Sequence, residues 1–182
     1  MKIKPKTITL KNGKEILIRQ CEVNDAEHLR NTIKTYIKDS KYIPKLQEEF
    51  KLSISQGEDW IKSFIDRPNS LLLIAEFDNK IIGNIDLTGN PRKVMEHTAV
   101  IGMGMLAEWR NSGLGTELMK AAISWAKNNP ILEILWLQVY TDNKLGVGLY
   151  QKMGFTENGI IKNFFKQDGI YFDNLTMSLE VK

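Results

Sequence analysis

Three consecutive segments between residues 97 and 139 constrain the fold more than any others in the chain. "HTAVIGMGML" (97–106) reads as a strand. The run containing Leu118, Met119, Ala121, Ala122 and Trp125 reads as a helix ending near Lys127, where Asn128, Asn129 and Pro130 stop it, and "ILEILWLQV" (131–139) reads as a buried strand. Strand, helix and strand over this length suffice for a right-handed crossover, which makes the two strands parallel neighbours in one sheet. Around that unit the pattern is antiparallel. "TITL" and "EILIR" flank Asn12-Gly13, "LLLIAEF" and "KIIGNIDL" flank Asp78-Asn79, and "GIIKNFFK" and "IYFDNLTMSL" flank Gln167-Asp168-Gly169. The predicted class is mixed α/β, in a single domain spanning residues 1–182.

Further helices are predicted from Ala26, Leu29, Ile33 and Ile37, opened by a capping box of Asn24 and Glu27, then near 58–65 and over 144–152. Residues 38–50, with Pro44 inside, read as loop or broken helix. Alternation in "KIIGNIDL" places Ile81, Gly83, Ile85 and Leu87 on one face.

Composition narrows the function classes. A net charge of +3 is too mild for a nucleic-acid surface, which needs a basic stripe. Lys2, Lys4, Lys6, Lys11 and Lys14 fall in the first 14 residues; they read as edge-strand lysines that discourage aggregation rather than as a docking site for an acidic partner. Cys21 is the single cysteine, so no internal disulfide and no cysteine-based metal site can form, and His28 and His97 suggest no zinc site. No metal is expected. The sequence shows no signal-peptide core and no membrane-length apolar run, so the expected location is the cytoplasm, with no membrane partner. Exposed sheet edges admit a homodimer.

"WRNSGLGTELM" (109–119) carries the main functional signal. Helix interiors disfavour glycine by about 1 kcal/mol relative to alanine, yet Gly113 and Gly115 stand where the crossover helix begins. A helix starting just after a strand presents unpaired N–H groups and the positive end of its dipole, which is an anion site. Glycines there let a phosphate approach the backbone, Ser112 and Thr116 offer hydroxyl donors, and Arg110 offers charge. A loop that merely needs positive φ is the structural alternative. Gly102, Gly104 and Ala107 spell G-x-G-x-x-A, but three residues intervene before the helix and no carboxylate ends the next strand, so a dinucleotide site is disfavoured; the Gly-Lys-Ser/Thr ending of a P-loop is missing too. Gly102 and Gly104 share a face and leave room for an extended ligand.

These residues resemble the GNAT family of N-acetyltransferases. Its first signature, Q/R-x-x-G-x-G/A, reads here as Arg110, Asn111, Ser112, Gly113, Leu114 and Gly115. Its second, an Asn opening a short helix that ends in L-Y-x-x-x-G-F, is met by Asn143, Leu149, Tyr150, Gly154 and Phe155. The resemblance covers roughly residues 15–180, and the closing "DGIYFDNLTMSL" is similar to the last hairpin of the ribosomal-protein N-terminal acetyltransferase subgroup. It implies a mostly antiparallel sheet with a central parallel pair, and acetyl-CoA as cosubstrate with its pyrophosphate on the glycines. It also implies that the backbone of Met103, Gly104 and Met105 binds pantetheine and acetyl like an added strand, and that Asn143 contacts the pantetheine arm. The acceptor it implies is a small-molecule amine or a peptide N-terminus, chosen by residues 38–50 and the hairpin 163–171.

Acyl transfer to an amine needs a neutral nucleophile, a donor for the developing oxyanion and a proton for the leaving thiolate. Tyr150 is the candidate for the last. The base is open: the strand position where relatives that acetylate protein N-termini often carry Glu holds Gln138, leaving Asp86 and Glu96 as substitutes that read more readily as solvated charges. Deprotonating a lysine-like amine at pH 7 costs about 4.6 kcal/mol and an α-amine about 1 kcal/mol, so a site without an evident base suits an α-amine. Gly146 and Gly148, where relatives commonly have alanine, either loosen the last helix or admit bulk. Direct attack without a covalent intermediate is expected, since Cys21 lies far from both motifs. The rival classes are a non-catalytic acyl-CoA sensor, which would not need Tyr150, and an acetyltransferase for a polyamine or other small amine. A nucleotide-binding oxidoreductase is the weakest rival.

Overall fold

The asparagine-glycine turn forms where the sequence places it, and it begins a sheet that runs through every described strand. In the computed structural model, which describes residues 3–182 and so leaves Lys2 outside, β1 (Lys6–Thr9) and β2 (Glu15–Gln20) form the first hairpin. β3 (Leu71–Phe77) pairs with β2 and with β4 (Lys80–Gly89), and β4 pairs with β5 (Thr98–Met105), all antiparallel. α3 (Leu114–Asn128) then crosses to β6 (Ile134–Tyr140), which runs parallel to β5 as expected. After α4 (Lys144–Lys152), the closing hairpin of β7 (Thr156–Gln167) and β8 (Ile170–Glu180) completes the order β1-β2-β3-β4-β5-β6-β8-β7.

Each sheet face has its own cover. Leu71, Leu73, Ile85, Leu87, Ala99, Leu135, Leu137 and Met177 face α3, whose Leu114, Leu118, Met119, Ala122 and Trp125 are all buried. Burying a large apolar side chain contributes about 1.5–3 kcal/mol, so this stripe anchors α3 firmly and fixes the position of its N-terminus. On the opposite face, Leu72, Ile74 and Ile81 pack under α1 (Ala26–Lys38) and α2 (Ile54–Asp66) through Leu29, Ile33, Ile37, Ile61 and Phe64.

Three local expectations are corrected. Asn24 and Glu27 do not cap α1: Asn24 lies in a single 3-10 turn, Val23–Asp25, and it is Asp25 that accepts from the Glu22 N–H at 2.8 Å. Asp25 is fixed there by Arg19, which also grips Glu76 on β3 at 2.7 Å and so ties the start of α1 to the sheet. The second helix starts at Ile54, earlier than its weak periodicity suggests, because the Ser53 hydroxyl accepts from the Gln56 N–H at 3.1 Å while the Gln56 side chain returns to the Ser53 N–H. Finally, Ile81 does not share a face with Ile85 and Leu87. Ile82 is an extra residue opposite the Ala75–Glu76 step, and this bulge turns Ile81 toward α1 and α2.

Candidate active site

The parallel pair at the centre of the sheet is short. β5 and β6 pair only from Thr98 with Ile134 to Val100 with Trp136; beyond that, β5 pairs with β4 alone and β6 with β8 alone. The sheet therefore opens as a wedge at the C-terminal ends of its two parallel strands. Backbone direction along β5 is fixed at both ends. Thr98 O accepts from Asn90 N at 3.1 Å and Leu106 N donates to Ile82 O at 3.0 Å, so even-numbered residues point their backbone groups at β4, whereas His97 O accepts from Glu133 N at 2.8 Å on the β6 side. By alternation the N–H groups of Met103 and Met105 point into the wedge and have no strand partner, while Gly104 turns its backbone to β4. Met103 and Met105 are thus the two residues of the expected trio with backbone to offer an extended ligand.

Gly113 and Gly115 stand beside the same opening and do different things. Gly113 caps α3 with φ +96°, a left-handed conformation that only glycine adopts without strain. A Cβ on it would point at the Lys11 side chain, 3.5 Å away, so Gly113 serves conformation and not phosphate clearance. Gly115 serves clearance: a Cβ there would lie 3.2 Å from Met105 Cε, 3.3 Å from Leu149 Cδ2 and 3.6 Å from Met103 Cε. That one point brings together α3, the end of β5 and α4. Among the described residues the N–H groups of Gly115 and Thr116 have no acceptor, and the Thr116 hydroxyl has no partner. Ser112 is different. Its buried hydroxyl donates to Trp109 O at 2.7 Å and accepts from Leu114 N at 3.3 Å, so it shapes the loop and is not a phosphate donor. Arg110 points elsewhere, donating from Nη1 to Asp39 O at the end of α1, 3.2 Å away, and Asn111 is an exposed left-handed turn residue with φ +60°.

α4 closes the other side of the wedge. Asn143 caps it, accepting through Oδ1 from Gly146 N at 3.0 Å, which leaves Nδ2 as its free donor. A Cβ on Gly146 would press on that amide at 2.6 Å, whereas one on Gly148 would meet nothing within 4 Å. Gly146 therefore makes room for the cap of its own helix. Tyr150 packs its ring edge-on to Phe155, with centroids 6.0 Å apart, and its hydroxyl has no partner among the described residues. Burial pushes the phenol up to about 12. This moves it away from the pKa of a thiol, opposite to what efficient proton donation to sulfur would favour.

Chemistry of a second kind lies on the opposite face. Gly102 and Gly104 do not leave room for a ligand there: the Tyr36 ring lies against Gly104, and the Asp86 carboxylate leans over Gly102, where a Cβ would come within 2.6 Å of Oδ1. Tyr36, itself buried, donates its hydroxyl to Asn84 Oδ1 at 3.0 Å. Asp86 is not the solvated charge its sequence context suggests. It is largely withdrawn from water, its one side-chain partner among the described residues is the Thr88 hydroxyl at 3.1 Å, and burial lifts its carboxyl to about 7. Register places Asp86 opposite Gly102 and Gln138 opposite Thr176, and Gly102 lies two residues past the last parallel pair, as does Gln138. The glycine thus clears a line from the carboxylate to the wedge. Glu96 is excluded as an alternative base. It pairs with Lys93 at 2.9 Å and precedes β5, more than 16 Å or so of strand from Met103.

The two segments expected to choose the acceptor meet on this same face. Tyr42, from the loop after α1, and Phe165, from the closing hairpin, both pack on Tyr140 at the end of β6, with centroids 5.8 and 3.9 Å away. The Tyr42 hydroxyl also donates to Asp142 O at 3.0 Å, pinning that loop beside the cap of α4. Among the described residues no cluster of His, Cys, Asp and Glu could hold a metal, and no helix is long and apolar enough to cross a membrane.

A splayed parallel pair with a glycine-opened helix on one flank and an asparagine-capped helix on the other defines an acyl-CoA-dependent transferase fold. The model of the acetyltransferase (GNAT) family matches residues 32–155, and the chain belongs to that family. It is 27% identical over 164 residues to the L-amino acid N-acetyltransferase AaaT of Escherichia coli, covering 90% of this chain and 97% of that protein. Among solved structures it is similar to a GNAT-family acetyltransferase from Streptococcus pneumoniae, with TM-score 0.88 and 27% identity over 92% of this chain and 99% of the other. It also shares its fold with a putative acetyltransferase from Salmonella typhimurium solved with acetyl-CoA, with TM-score 0.82 and 14% identity over 92% and 94% of the two chains. The protein is an N-acetyltransferase that uses acetyl-CoA. The long closing hairpin expected from the subgroup resemblance is present as β7 and β8.

Proposed function

We propose that the enzyme acetylates the α-amine of an amino acid, free or at a peptide N-terminus, by direct attack of the amine on the thioester. The observation that carries this reading is the Asp86 carboxylate, lifted to about 7 and leaning over Gly102 toward the wedge. A base works best when its pKa lies near the working pH. Passing a proton from an α-ammonium of pKa near 7.8 to such a carboxylate costs about 1 kcal/mol, whereas from a lysine ammonium near 10.4 it costs about 4.6 kcal/mol. The preference for an α-amine thus survives for a different reason: a base is available, and its pKa matches. The similar L-amino acid N-acetyltransferase supports the same acceptor class.

The remaining residues fit this chemistry. Bound acetyl-CoA supplies an activated thioester carbonyl. The Met103 and Met105 N–H groups orient it as an added strand would and donate to the oxygen that gains charge. The N–H groups of Gly115 and Thr116 hold pyrophosphate at the positive end of α3, and Asn143 Nδ2 donates to the pantetheine arm. Tyr150 lies on the α3 and α4 side of the sheet and Asp86 on the α1 side, so the gap between β5 and β6 is where a thioester held on one face meets an amine arriving from the other. A phenol at about 12 would give its proton to a thiolate of pKa near 8.5 only uphill by roughly 5 kcal/mol. Tyr150 therefore stabilises the departing sulfur by a hydrogen bond. The test is CoA thiol release at pH 7.5 with L-amino acids, short peptides, Nα-blocked lysine and polyamines. Turnover with free α-amines is expected, and turnover confined to side-chain amines or polyamines would overturn the reading.

A further inference from the structure

We infer that Lys11, in the turn of the N-terminal hairpin, is a cofactor-binding residue that closes over the start of α3 and binds the pyrophosphate of acetyl-CoA. This rests on the assignment of the α3 N-terminus as the phosphate site. The two elements are far apart in sequence but joined in structure, since the Lys11 N–H donates to Ser112 O at 3.1 Å. Beyond that bond the Lys11 stem lies along Gly113, its Cγ, Cδ and Cε at 3.5, 3.9 and 3.9 Å from where a Cβ would stand. The methylenes are used to reach past the helix cap. Among the described residues the ammonium at their end has no ion pair or hydrogen bond, and its stem runs over the cap of the helix whose first N–H groups, those of Gly115 and Thr116, are unpaired.

The turn is held rigidly enough for this to matter. Leu10 is buried in the α3-side core, its N–H donates to Lys14 O at 2.9 Å, and the Lys14 ammonium lies over the adjoining rings of Phe77 and Trp109, at 5.0 and 4.8 Å from their centroids. Trp109 opens the glycine loop itself, so the hairpin and the loop form one packed unit. Lys14 is thus occupied with aromatic faces, and Arg110, the charge that the signature motif suggests for the phosphates, spends Nη1 on Asp39 O. Glu117, the acidic residue of the first turn of α3, is drawn to Lys120 at 2.7 Å and leaves Lys11 uncontested. Lys11 thus brings to the cap of α3 a cation that no described residue engages.

The experiment compares wild type, Lys11→Met and Lys11→Arg by calorimetric titration with acetyl-CoA, dephospho-CoA and acetyl-pantetheine. Methionine keeps the stem on Gly113 and removes only the charge. An exposed charge on a phosphate corresponds to a loss of about three- to tenfold in affinity. Lys11→Met should lose that much for acetyl-CoA and equally for dephospho-CoA, which keeps the pyrophosphate. It should lose nothing for acetyl-pantetheine, and Lys11→Arg should restore most of the binding. An unchanged Kd in Lys11→Met, or a loss that disappears with dephospho-CoA, would overturn the proposal. Failure of wild type to bind acetyl-CoA at all would instead strike the phosphate-site assignment on which it rests.

Discussion

Replacing Asp86 by Asn should move stability and activity in opposite directions. The side chain keeps its shape and can still accept from the Thr88 hydroxyl, while the charge is removed. Folding raises this carboxyl from 3.8 to about 7, so between those values the folded protein holds a proton that the unfolded chain has released. Wild-type stability therefore falls as pH rises through this window, and the penalty is complete above pH 7. Each pH unit corresponds to about 1.4 kcal/mol, so roughly three units set an upper bound near 4 kcal/mol; since the carboxylate retains some solvent contact, about 1–3 kcal/mol is expected. Urea unfolding at pH 3.5 and pH 8 measures it: Asp86→Asn should come close to wild type at the lower pH, below both values, and exceed it by nearly that amount at the higher. In the same variant kcat/KM for an α-amine should fall by about 10²–10³-fold at pH 7, and the acid limb of the wild-type profile, rising through about pH 7, should vanish. An Asp86→Asn enzyme that keeps its activity, or is less stable than wild type at pH 8, would refute the assignment.

Other residues separate binding from turnover. Tyr150→Phe removes a hydroxyl that has no partner among the described residues, so Tm should be unchanged and the acetyl-CoA Kd should hold within about twofold while kcat falls at least tenfold; equal losses in kcat and affinity would contradict the role given to it. Gly115→Ala should weaken acetyl-CoA binding severalfold, because the new methyl displaces Met105 and Leu149 toward the wedge, with little change in urea midpoint. Gly113→Ala should instead cost about 1–2 kcal/mol of stability through its left-handed φ, read by urea unfolding. Cys21 is 2% exposed and burial raises its thiol, so a thiol reagent should leave the folded enzyme unlabelled and fully active; inactivation with labelling would reopen covalent catalysis.

What was legible in the sequence is what depends on neighbours along the chain. The three hairpins and α4 follow from turn dipeptides and short-range spacing, and α3 from its 3.6-residue period together with the Asn-Asn-Pro stop. The same local signals placed Gly113, Gly115, Asn143 and Tyr150 around one opening. What escaped is decided through space. Nothing near Ile82 announces the bulge that turns Ile81 to the other face. Asp86 looks like a surface charge because its strand alternates, and only the cover of α1, with Tyr36 lying on Gly104, shows that both faces of β4 are occupied. A signal was available: two glycines on β5 opposite Asn84 and Asp86 mark a place where the neighbouring strand's side chains lie across the backbone. The bonds of Arg110 Nη1 to Asp39 O and of the Ser112 hydroxyl to Trp109 O escaped for a related reason, since those partners are set by loop geometry and not by motif.

The central claim is that the open edge of β5 and the first turn of α3 form one cofactor cradle. Residue-resolved amide hydrogen exchange, measured with and without saturating acetyl-CoA, tests it most directly, because the N–H groups of Met103, Met105, Gly115 and Thr116 have no strand or helix partner in the free protein. The account predicts that these four amides exchange fast alone and become protected together when acetyl-CoA binds. Protection that spares them, or that appears instead along the β1 edge, would contradict it.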